Sequence, residues 1–312
     1  MTRASIADPT PSTGDQAAAY QRLRAHLAYL KLPTAAEVLP EVLDAARTEG
    51  LTPTALLERL LDAEVRATEE RRLTGRLRFA SLPAPWTLED LDYDASPNLD
   101  RALIEDLASL RFIEQAANVM LIGPPGVGKT HIAVGLARKA AEAGYRTYFT
   151  TAADLAARCH RAAIEGRWAT TMRFFAGPTL LVIDELGYLP LPADAAAALF
   201  QVVSQRHLKT SIVLTTNHGI SSWGNILGDE MVAAAMLDRL LDRSVVMHLD
   251  GDSYRLRSHH ARAKPCARQC AHDPDALPSP TPRVGNFDKQ PWGDSASGIT
   301  GSQPRSCGGR AN

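Results

Sequence analysis

Eight consecutive residues near the middle of the chain have the spacing of a phosphate-binding loop. Residues 123–130 fit the pattern GxxxxGK(S/T), follow the apolar run 119–122 and precede a helical pattern. In that context the glycines let backbone N–H groups turn towards the β- and γ-phosphates of a nucleotide. Lys129 would reach the phosphates, and the Thr130 hydroxyl would coordinate Mg²⁺. The sequence therefore predicts binding of ATP with Mg²⁺ by Gly123, Pro124, Pro125, Gly126, Val127, Gly128, Lys129 and Thr130.

Two adjacent carboxylates follow a second apolar run. Asp184 and Glu185 come directly after residues 180–183, so a buried strand would deliver both side chains beside the phosphate loop. Asp184 would hold Mg²⁺, directly or through water. Glu185 could orient and deprotonate the attacking water. This pair favours hydrolysis of ATP over transfer of phosphate to a small acceptor.

Two further polar positions are candidates for sensing the γ-phosphate. The apolar run 212–216 ends in polar residues, which predicts that Asn217 lies near the γ-phosphate, with Thr216 as the alternative. Arg239 lies near the end of a later helical pattern and could stabilise charge on the nucleotide of a neighbouring subunit. Arg243 is the alternative for that role, and a surface pair between Asp238 and Arg239 is the plainer interpretation.

Apolar runs and helical patterns alternate around these residues. Short apolar runs separated by helices predict an α/β fold with a mostly parallel sheet covered on both faces. The predicted strands are residues 119–122, 147–150, 180–184, 212–216 and 245–249, and the main helices are residues 130–143, 193–207 and 230–240.

The chain divides into four predicted regions. Residues 1–15 and 259–312 are predicted to be disordered, residues 16–80 to form a helical N-terminal domain, and residues 81–258 to form the nucleotide-binding domain. Two apolar stripes characterise the helical region, the first formed by Tyr20, Leu23, Leu27 and Leu30, and the second by Leu56, Leu57, Leu60, Leu61 and Val65.

Overall charge does not indicate a nucleic-acid partner, because the formal net charge of the 312-residue chain is −1. Cations are nevertheless concentrated locally at residues 66–78, 158–173 and 255–268. Each run is a candidate for phosphate contacts or simply a solvated face. No apolar segment has the length of a membrane span or a signal peptide. We therefore expect a soluble cytoplasmic protein without a membrane partner.

The local sequence resembles the IstB-type transposition helper ATPases, which are AAA+ proteins related to DnaC-type helicase loaders. The similarity extends over residues 20–258. The matching segments are residues 30–33, 110–114, the phosphate loop followed by His131, and residues 181–191, 237–240 and 251–255.

This resemblance implies a AAA+ core with a small helical N-terminal domain and no separate lid domain. It implies a homo-oligomer on double-stranded DNA, with nucleotide at the subunit interfaces, that helps a cognate transposase to select and engage its target. Related initiators engage DNA through the region that contains the run 158–173, which favours that run. By motif, Lys129 and Thr130 would be the Walker A residues, and Asp184 and Glu185 would be the Walker B residues. Asn217 would be sensor 1, and Arg239 would be the trans-acting arginine. His131 and Arg255 would contact the nucleotide.

Three other functions remain open at this level. A replicative helicase loader would share the ATPase chemistry but bind a helicase. A nucleotide-gated scaffold would not hydrolyse ATP, which the Asp184–Glu185 pair argues against. A small-molecule kinase would need an acceptor pocket and would lack the sensor Asn217 and the late Arg239.

Overall fold

A five-stranded parallel sheet forms the centre of the molecule. The computed structural model describes residues 13–93, 99–188, 193–251 and 253. The strand order is β2-β3-β4-β1-β5, which places β4 between the strand that precedes the phosphate loop and the strand that carries Asp184. The strands are β1 (Asn118–Ile122), β2 (Thr147–Thr151), β3 (Leu180–Leu186), β4 (Ser211–Thr216) and β5 (Ser244–His248).

Helices cover both faces of this sheet, and five helices of the described residues precede its first strand in the sequence. The N-terminal helices are α1 (Thr13–Tyr29), α2 (Pro33–Glu49) and α3 (Pro53–Ala80). Two short helices, α4 (Arg101–Ala108) and α5 (Arg111–Glu114), precede β1. The remaining helices are α6 (Lys129–Glu142), α7 (Ala152–Ile164), α8 (Trp168–Ala176), α9 (Ala193–Arg206), α10 (Trp223–Leu227) and α11 (Glu230–Leu241), with a 3₁₀ turn at Ile220–Ser222.

The strands are apolar at almost every position because both faces of the sheet are buried. In β1, Val119 and Leu121 pack in the cluster that contains α6, whereas Met120 points into the opposite cluster with α7 and α9. Successive side chains of a strand point to opposite faces, so a continuous apolar run is what a doubly covered strand requires. The predicted sheet and its helical layers are confirmed.

The third strand is longer than the sequence predicts. Its pairing with β4 shifts register between Ile183 and Leu186, so that Leu186 lies opposite Thr216. A bulge of this kind interrupts the strand without ending it. The interruption falls on Asp184 and Glu185, the two carboxylates predicted for catalysis.

A buried arginine holds the other ends of β3 and β4 together. The Arg206 side chain is 1% exposed, and its guanidinium donates to the carbonyls of Phe175, Pro178 and Ser211 at 2.7–2.9 Å. Burial lowers the pKa of Arg206 to about 9. These bonds fix the start of the strands whose far ends carry the site.

The N-terminal helices have a small core of their own. Leu27, Leu39, Val42 and Leu60 are buried in it together with Ala35. Helix α3 begins at Pro53, where the Thr52 hydroxyl accepts the Ala55 N–H at 3.3 Å.

Only part of each predicted apolar stripe is buried. Leu27 and Leu60 lie in this core and Tyr20 and Leu56 are half-buried, but the other stripe residues are exposed. Three helices leave an uncovered side, which sequence periodicity does not distinguish from a buried one. The exposed members are Leu23, Leu30, Leu57, Leu61 and Val65.

The predicted ends of the chain are described only in part. Helix α1 begins at Thr13, so the last residues of the segment 1–15 are helical. Residues 1–12 and the predicted tail 259–312 lie outside the described residues. Within the described part of the chain, no helix is both long and apolar enough to cross a membrane.

Candidate nucleotide site

The phosphate loop connects β1 to α6, as the sequence predicts. Gly126 and Gly128 have φ values of 89° and 98°, which L-residues with a side chain rarely adopt. A Cβ atom on Gly123 would lie 2.1 Å from the Leu249 carbonyl oxygen. Backbone conformation and close packing therefore require glycine at these positions.

The Lys129 ammonium group folds back across the loop. Its Nζ atom donates to the carbonyl oxygens of Gly123 and Pro124, each at 2.7 Å. Lys129 is also the first residue of α6, where the helix N-terminus contributes partial positive charge. An ammonium group beside a helix N-terminus is an arrangement that suits a bound anion.

Asp184 is the point at which the loop and the sheet meet. Its side chain is 3% exposed, and its Oδ1 atom accepts the Thr130 hydroxyl at 3.1 Å. Hydroxyl and carboxylate oxygens are the hard ligands that Mg²⁺ takes in nucleotide sites. Thr130 and Asp184 thus fit the predicted metal.

Thr215, on the neighbouring strand β4, contacts both carboxylate residues. Its hydroxyl donates to Asp184 Oδ1 and accepts the backbone N–H of Glu185 at 2.9 Å. Glu185 itself has φ 61°, a left-handed conformation that is uncommon outside glycine. The Glu185 side chain is exposed, so the bulge turns it out of the sheet while Thr215 holds its backbone.

Asn217 lies beside the start of the phosphate loop. Ile122 and Thr216 are register partners, and the Gly123 N–H donates to the Thr216 carbonyl at 3.2 Å. Asn217 is the next residue and is exposed. The parallel pairing of β1 and β4 therefore brings it to the same edge as the loop.

Arg239 lies on α11, near the end of that helix. Its Nη1 atom donates to the Ala235 carbonyl at 2.8 Å, and its guanidinium lies 4.9 Å from the ring centroid of Phe200 on α9. Arg243 is exposed, and Arg255 lies outside the described residues. The structure thus brings together the loop, both carboxylates and Asn217, with Arg239 held on α11.

A cavity of about 420 Å³ opens next to the loop. Trp86 stacks on His131 with their ring centroids 5.2 Å apart, and His131 Nε2 is 2.9 Å from the Thr87 carbonyl oxygen. An apolar cavity of this size with a few polar groups suits a small organic ligand. Its wall includes Trp86, Asp90, Leu91, Leu99, Val127 and His131.

Comparison with known proteins places the chain in a family. Residues 25–262 match the family model described as IstB-like ATP binding protein. The chain is an IstB-like protein. The predicted α/β fold class is confirmed: a parallel sheet lies between helices, further helices lie at the N-terminus, and the phosphate loop connects β1 to α6.

Curated relatives of this IstB-like chain belong to insertion sequences. It is 40% identical over 237 residues to the ATP-binding protein of insertion sequence IS5376 from Geobacillus stearothermophilus, covering 76% of this chain and 94% of the relative. It is 37% identical over 231 residues to the IS21 ATP-binding protein from Pseudomonas aeruginosa, covering 74% and 87%.

Among solved structures, the DnaC helicase loader aligns with a TM-score of 0.41 and 22% identity, covering 51% of this chain and 98% of that chain. AMPPCP-bound DnaA from Aquifex aeolicus aligns with a TM-score of 0.47 and 16% identity, covering 59% and 56%.

Two residues of the IstB-like site were missed in the sequence. Thr215 directly precedes the predicted sensor positions. It could have been predicted as a hydroxyl residue near the end of a buried central strand. Trp86 lies in a proline-rich connector, and no local pattern marks it as a neighbour of His131. Both roles arise from tertiary contacts.

Proposed function

We propose that this protein is a DNA-stimulated ATPase that acts as a DNA-binding helper of a transposase. The observation that carries the chemistry is the contact of Thr130, from the phosphate loop, with Asp184. Thr215 holds the backbone of the adjacent Glu185. Its relatives are named as ATP-binding proteins of insertion sequences, which supports a transposase as the partner in preference to a replicative helicase.

Each of these residues has a different proposed role in hydrolysis. Lys129 and the N-terminus of α6 bind the phosphates and offset their negative charge. Mg²⁺ held by Thr130 and Asp184 would neutralise further charge on the phosphate oxygens. Glu185 takes a proton from the attacking water. Asn217, beside Gly123, senses the γ-phosphate.

The nucleoside moiety is proposed to occupy the cavity between Trp86 and the loop. This cavity is continuous with the phosphate loop, because Gly126, Val127 and Lys129 line it. The ring pair of Trp86 and His131 provides an aromatic wall for a base.

Arginine from a second subunit is proposed to complete the site. Arg239 contacts Ala235 and Phe200 within its own chain, and it is not among the described residues that line the cavity beside the loop. We therefore place its role in catalysis at the nucleotide of a neighbour. ATP at the interface would then hold a homo-oligomer on duplex DNA, and hydrolysis would loosen it. Arg243 remains the alternative arginine, and Arg255 a further candidate for contact with nucleotide.

The N-terminal helices are proposed to bind the transposase or a second copy of the chain. Leu57, Leu61 and Val65 lie four residues apart on α3, and each side chain is about half exposed, at 55%, 47% and 56%. An exposed stripe at helical spacing is typical of a surface that another helix covers.

Substitution of the proposed base tests the hydrolytic function. We expect Glu185→Gln to lower ATP turnover by about 100-fold or more, because the amide cannot accept the proton of the attacking water. ATP affinity should stay within about threefold of wild type, since the side chain is not part of the loop. Phosphate release and equilibrium binding of a fluorescent ATP analogue measure the two quantities.

The matched control is Glu41→Gln, which makes the same chemical change on the exposed surface of α2. It should turn over ATP like the wild type. Hydrolysis by Glu185→Gln at the wild-type rate would remove the proposed base.

A further inference from the structure

Two arginine-rich segments that are distant in the sequence meet on one face of the molecule. Helix α3 ends against β2 and α8, where the Phe79 ring centroid is 5.7 Å from that of Tyr148 and 6.1 Å from that of Phe174. The Tyr148 and Phe174 centroids are 4.8 Å apart. Three partly exposed rings from three elements therefore form one cluster.

Most arginines of the N-terminal segment are already engaged by the protein. Arg66 pairs with Asp62 at 2.8 Å and Arg71 with Glu64 at 2.7 Å. Arg76 donates to the Ala141 carbonyl at 2.7 Å. Because three arginines of the predicted basic run 66–78 already have partners in the protein, we do not assign a polyanion to that run as a whole.

Three other arginines surround the ring cluster. The Arg158 guanidinium lies 3.8 Å from the Phe174 centroid, and that of Arg146 lies 4.3 Å from the Phe79 centroid. Exposed Arg78 lines an open groove of about 440 Å³, whose other wall is formed by Tyr148 and Phe174. We call this surface the arginine–aromatic face; it consists of Arg78, Phe79, Arg146, Tyr148, Arg158 and Phe174.

The geometry of this face favours an anionic ligand with several charges. A guanidinium over a ring is weakly hydrated and has several N–H donors in its plane. One donor of Arg158 is directed to the Tyr148 hydroxyl at 3.4 Å. Within the described part of the chain, none of the three arginines forms an ion pair. The Asp154 carboxylate, one turn before Arg158, accepts the Thr151 hydroxyl at 2.8 Å.

We propose that the arginine–aromatic face binds the phosphate backbone of duplex DNA. The proposal rests on the proposed function, and it adds the surface and the chemistry of that interaction. Cations from α3, from the residue before β2 and from α7 converge there around a groove, which suits a row of phosphates better than a single anion. Exposed Arg161 and Arg173 extend the charge along α7 and α8.

Charge reversal in the groove tests this surface. We expect Arg78→Glu in the full chain to weaken binding to a fluorescent duplex by about tenfold or more at low salt. The slope of log K against log salt concentration should become shallower by about 0.9 for each DNA phosphate that the variant no longer neutralises. Binding of a fluorescent ATP analogue should be unchanged, which also reports folding.

Arg47→Glu is the matched control, because it makes the same charge change at a side chain that is 72% exposed on α2. It should bind duplex like the wild type. If Arg78→Glu lowers thermal stability, Arg78→Gln replaces it, and its salt slope should be shallower than that of the wild type by about 0.9, the value for one phosphate.

The outcomes separate the two levels of the proposal. Wild-type protein that binds no duplex at low salt would overturn the proposed DNA-binding function. Duplex binding by the wild type and equally by both Arg78 variants would overturn only the assignment of this face. Equal losses of DNA binding in Arg47→Glu and Arg78→Glu would also overturn the assignment of this face. An Arg78 variant that still binds DNA but no longer binds an acidic protein partner would overturn it as well.

Discussion

Two threonine hydroxyls converge on a single oxygen atom of Asp184. Thr130 reaches it from the phosphate loop and Thr215 from the adjacent strand. Thr215 also accepts the N–H of Glu185, whose backbone is left-handed. We therefore expect Thr215 to act as a positioning residue that couples the proposed metal ligand to the proposed base.

Removing only that hydroxyl tests the coupling. We expect Thr215→Val to lower kcat by about tenfold or more, because the Glu185 carboxylate loses its fixed position relative to the nucleotide. The dissociation constant for ATP should change by less than about threefold. Steady-state turnover and nucleotide titration measure both.

Thr215→Ser is the matched control, since it keeps the hydroxyl and removes a methyl group. It should recover most of the wild-type kcat. A valine variant with normal kcat would contradict the positioning role, and equal defects in valine and serine would indicate a packing effect.

Motif residues could be predicted from the sequence because their chemistry is local. The loop, Asp184 and Glu185 each follow an apolar run, and parallel strands bring their carboxyl ends to one edge. The contacts of Thr215 with Asp184 and Glu185 depend on the register of β3 against β4. The stacking of Trp86 on His131 depends on the path of the connector that contains Trp86. Neither interaction leaves a local spacing in the sequence.

At the scale of elements, a buried carboxylate joins two N-terminal helices. Glu64 on α3 is 4% exposed, and its carboxylate accepts the Ala35 N–H at the start of α2 at 2.9 Å and an Arg71 N–H at 2.7 Å. Burial acts to raise the pKa of Glu64, but these bonds outweigh it, so the pKa lies below its ordinary value of 4.5. The charged form is therefore the one that stabilises the fold.

This carboxylate predicts a pH-dependent stability. A carboxyl whose pKa is lower in the folded state stabilises the protein above its unfolded pKa, and the contribution is lost as pH falls through the folded value. We expect Glu64→Gln to lower the free energy of unfolding by about 1–3 kcal/mol at pH 7. The difference from wild type should shrink below about pH 4.5.

Urea unfolding at pH 7 and pH 4 measures this effect. Glu69→Gln is the control, because that side chain is exposed on the same helix. A Glu64→Gln deficit of the same size at both pH values would show that the charge of Glu64 contributes nothing.

The sheet could be predicted element by element, whereas the N-terminal surface could not. Doubly buried strands are apolar at every position, so the runs around Val119 and Val213 are visible in the sequence. The stripe on α3 has the same periodicity whether or not a neighbour covers Leu57 and Leu61. The tertiary arrangement decides which members are buried.

At the scale of the whole molecule, Arg239 packs against Phe200 of α9, and the described residues that line the cavity beside the phosphate loop do not include it. A site shared between subunits would unite the arginine and the loop through a heterologous interface. Under this account each subunit contributes a loop to one site and an arginine to the next.

Mixing two inactive variants tests a shared site. Lys129→Ala removes the ammonium group proposed to bind phosphate, and Arg239→Ala removes the proposed trans-acting arginine, so each variant alone should lose most of its turnover. An equal mixture should recover roughly a quarter of wild-type turnover, because random assembly pairs an intact loop with an intact arginine at that frequency.

Turnover of the mixture is compared with the sum of the separate variants. A mixture of Lys129→Ala with Arg243→Ala distinguishes the alternative arginine. If neither mixture exceeds the sum of its parts, the arginine does not act between subunits.

ATP turnover with and without duplex DNA at low salt tests the central claim most directly. The account predicts that wild-type turnover rises when duplex is added, that added salt reverses the rise, and that Glu185→Gln stays inactive under both conditions. Wild-type turnover that is the same with and without duplex would contradict a DNA-dependent ATPase.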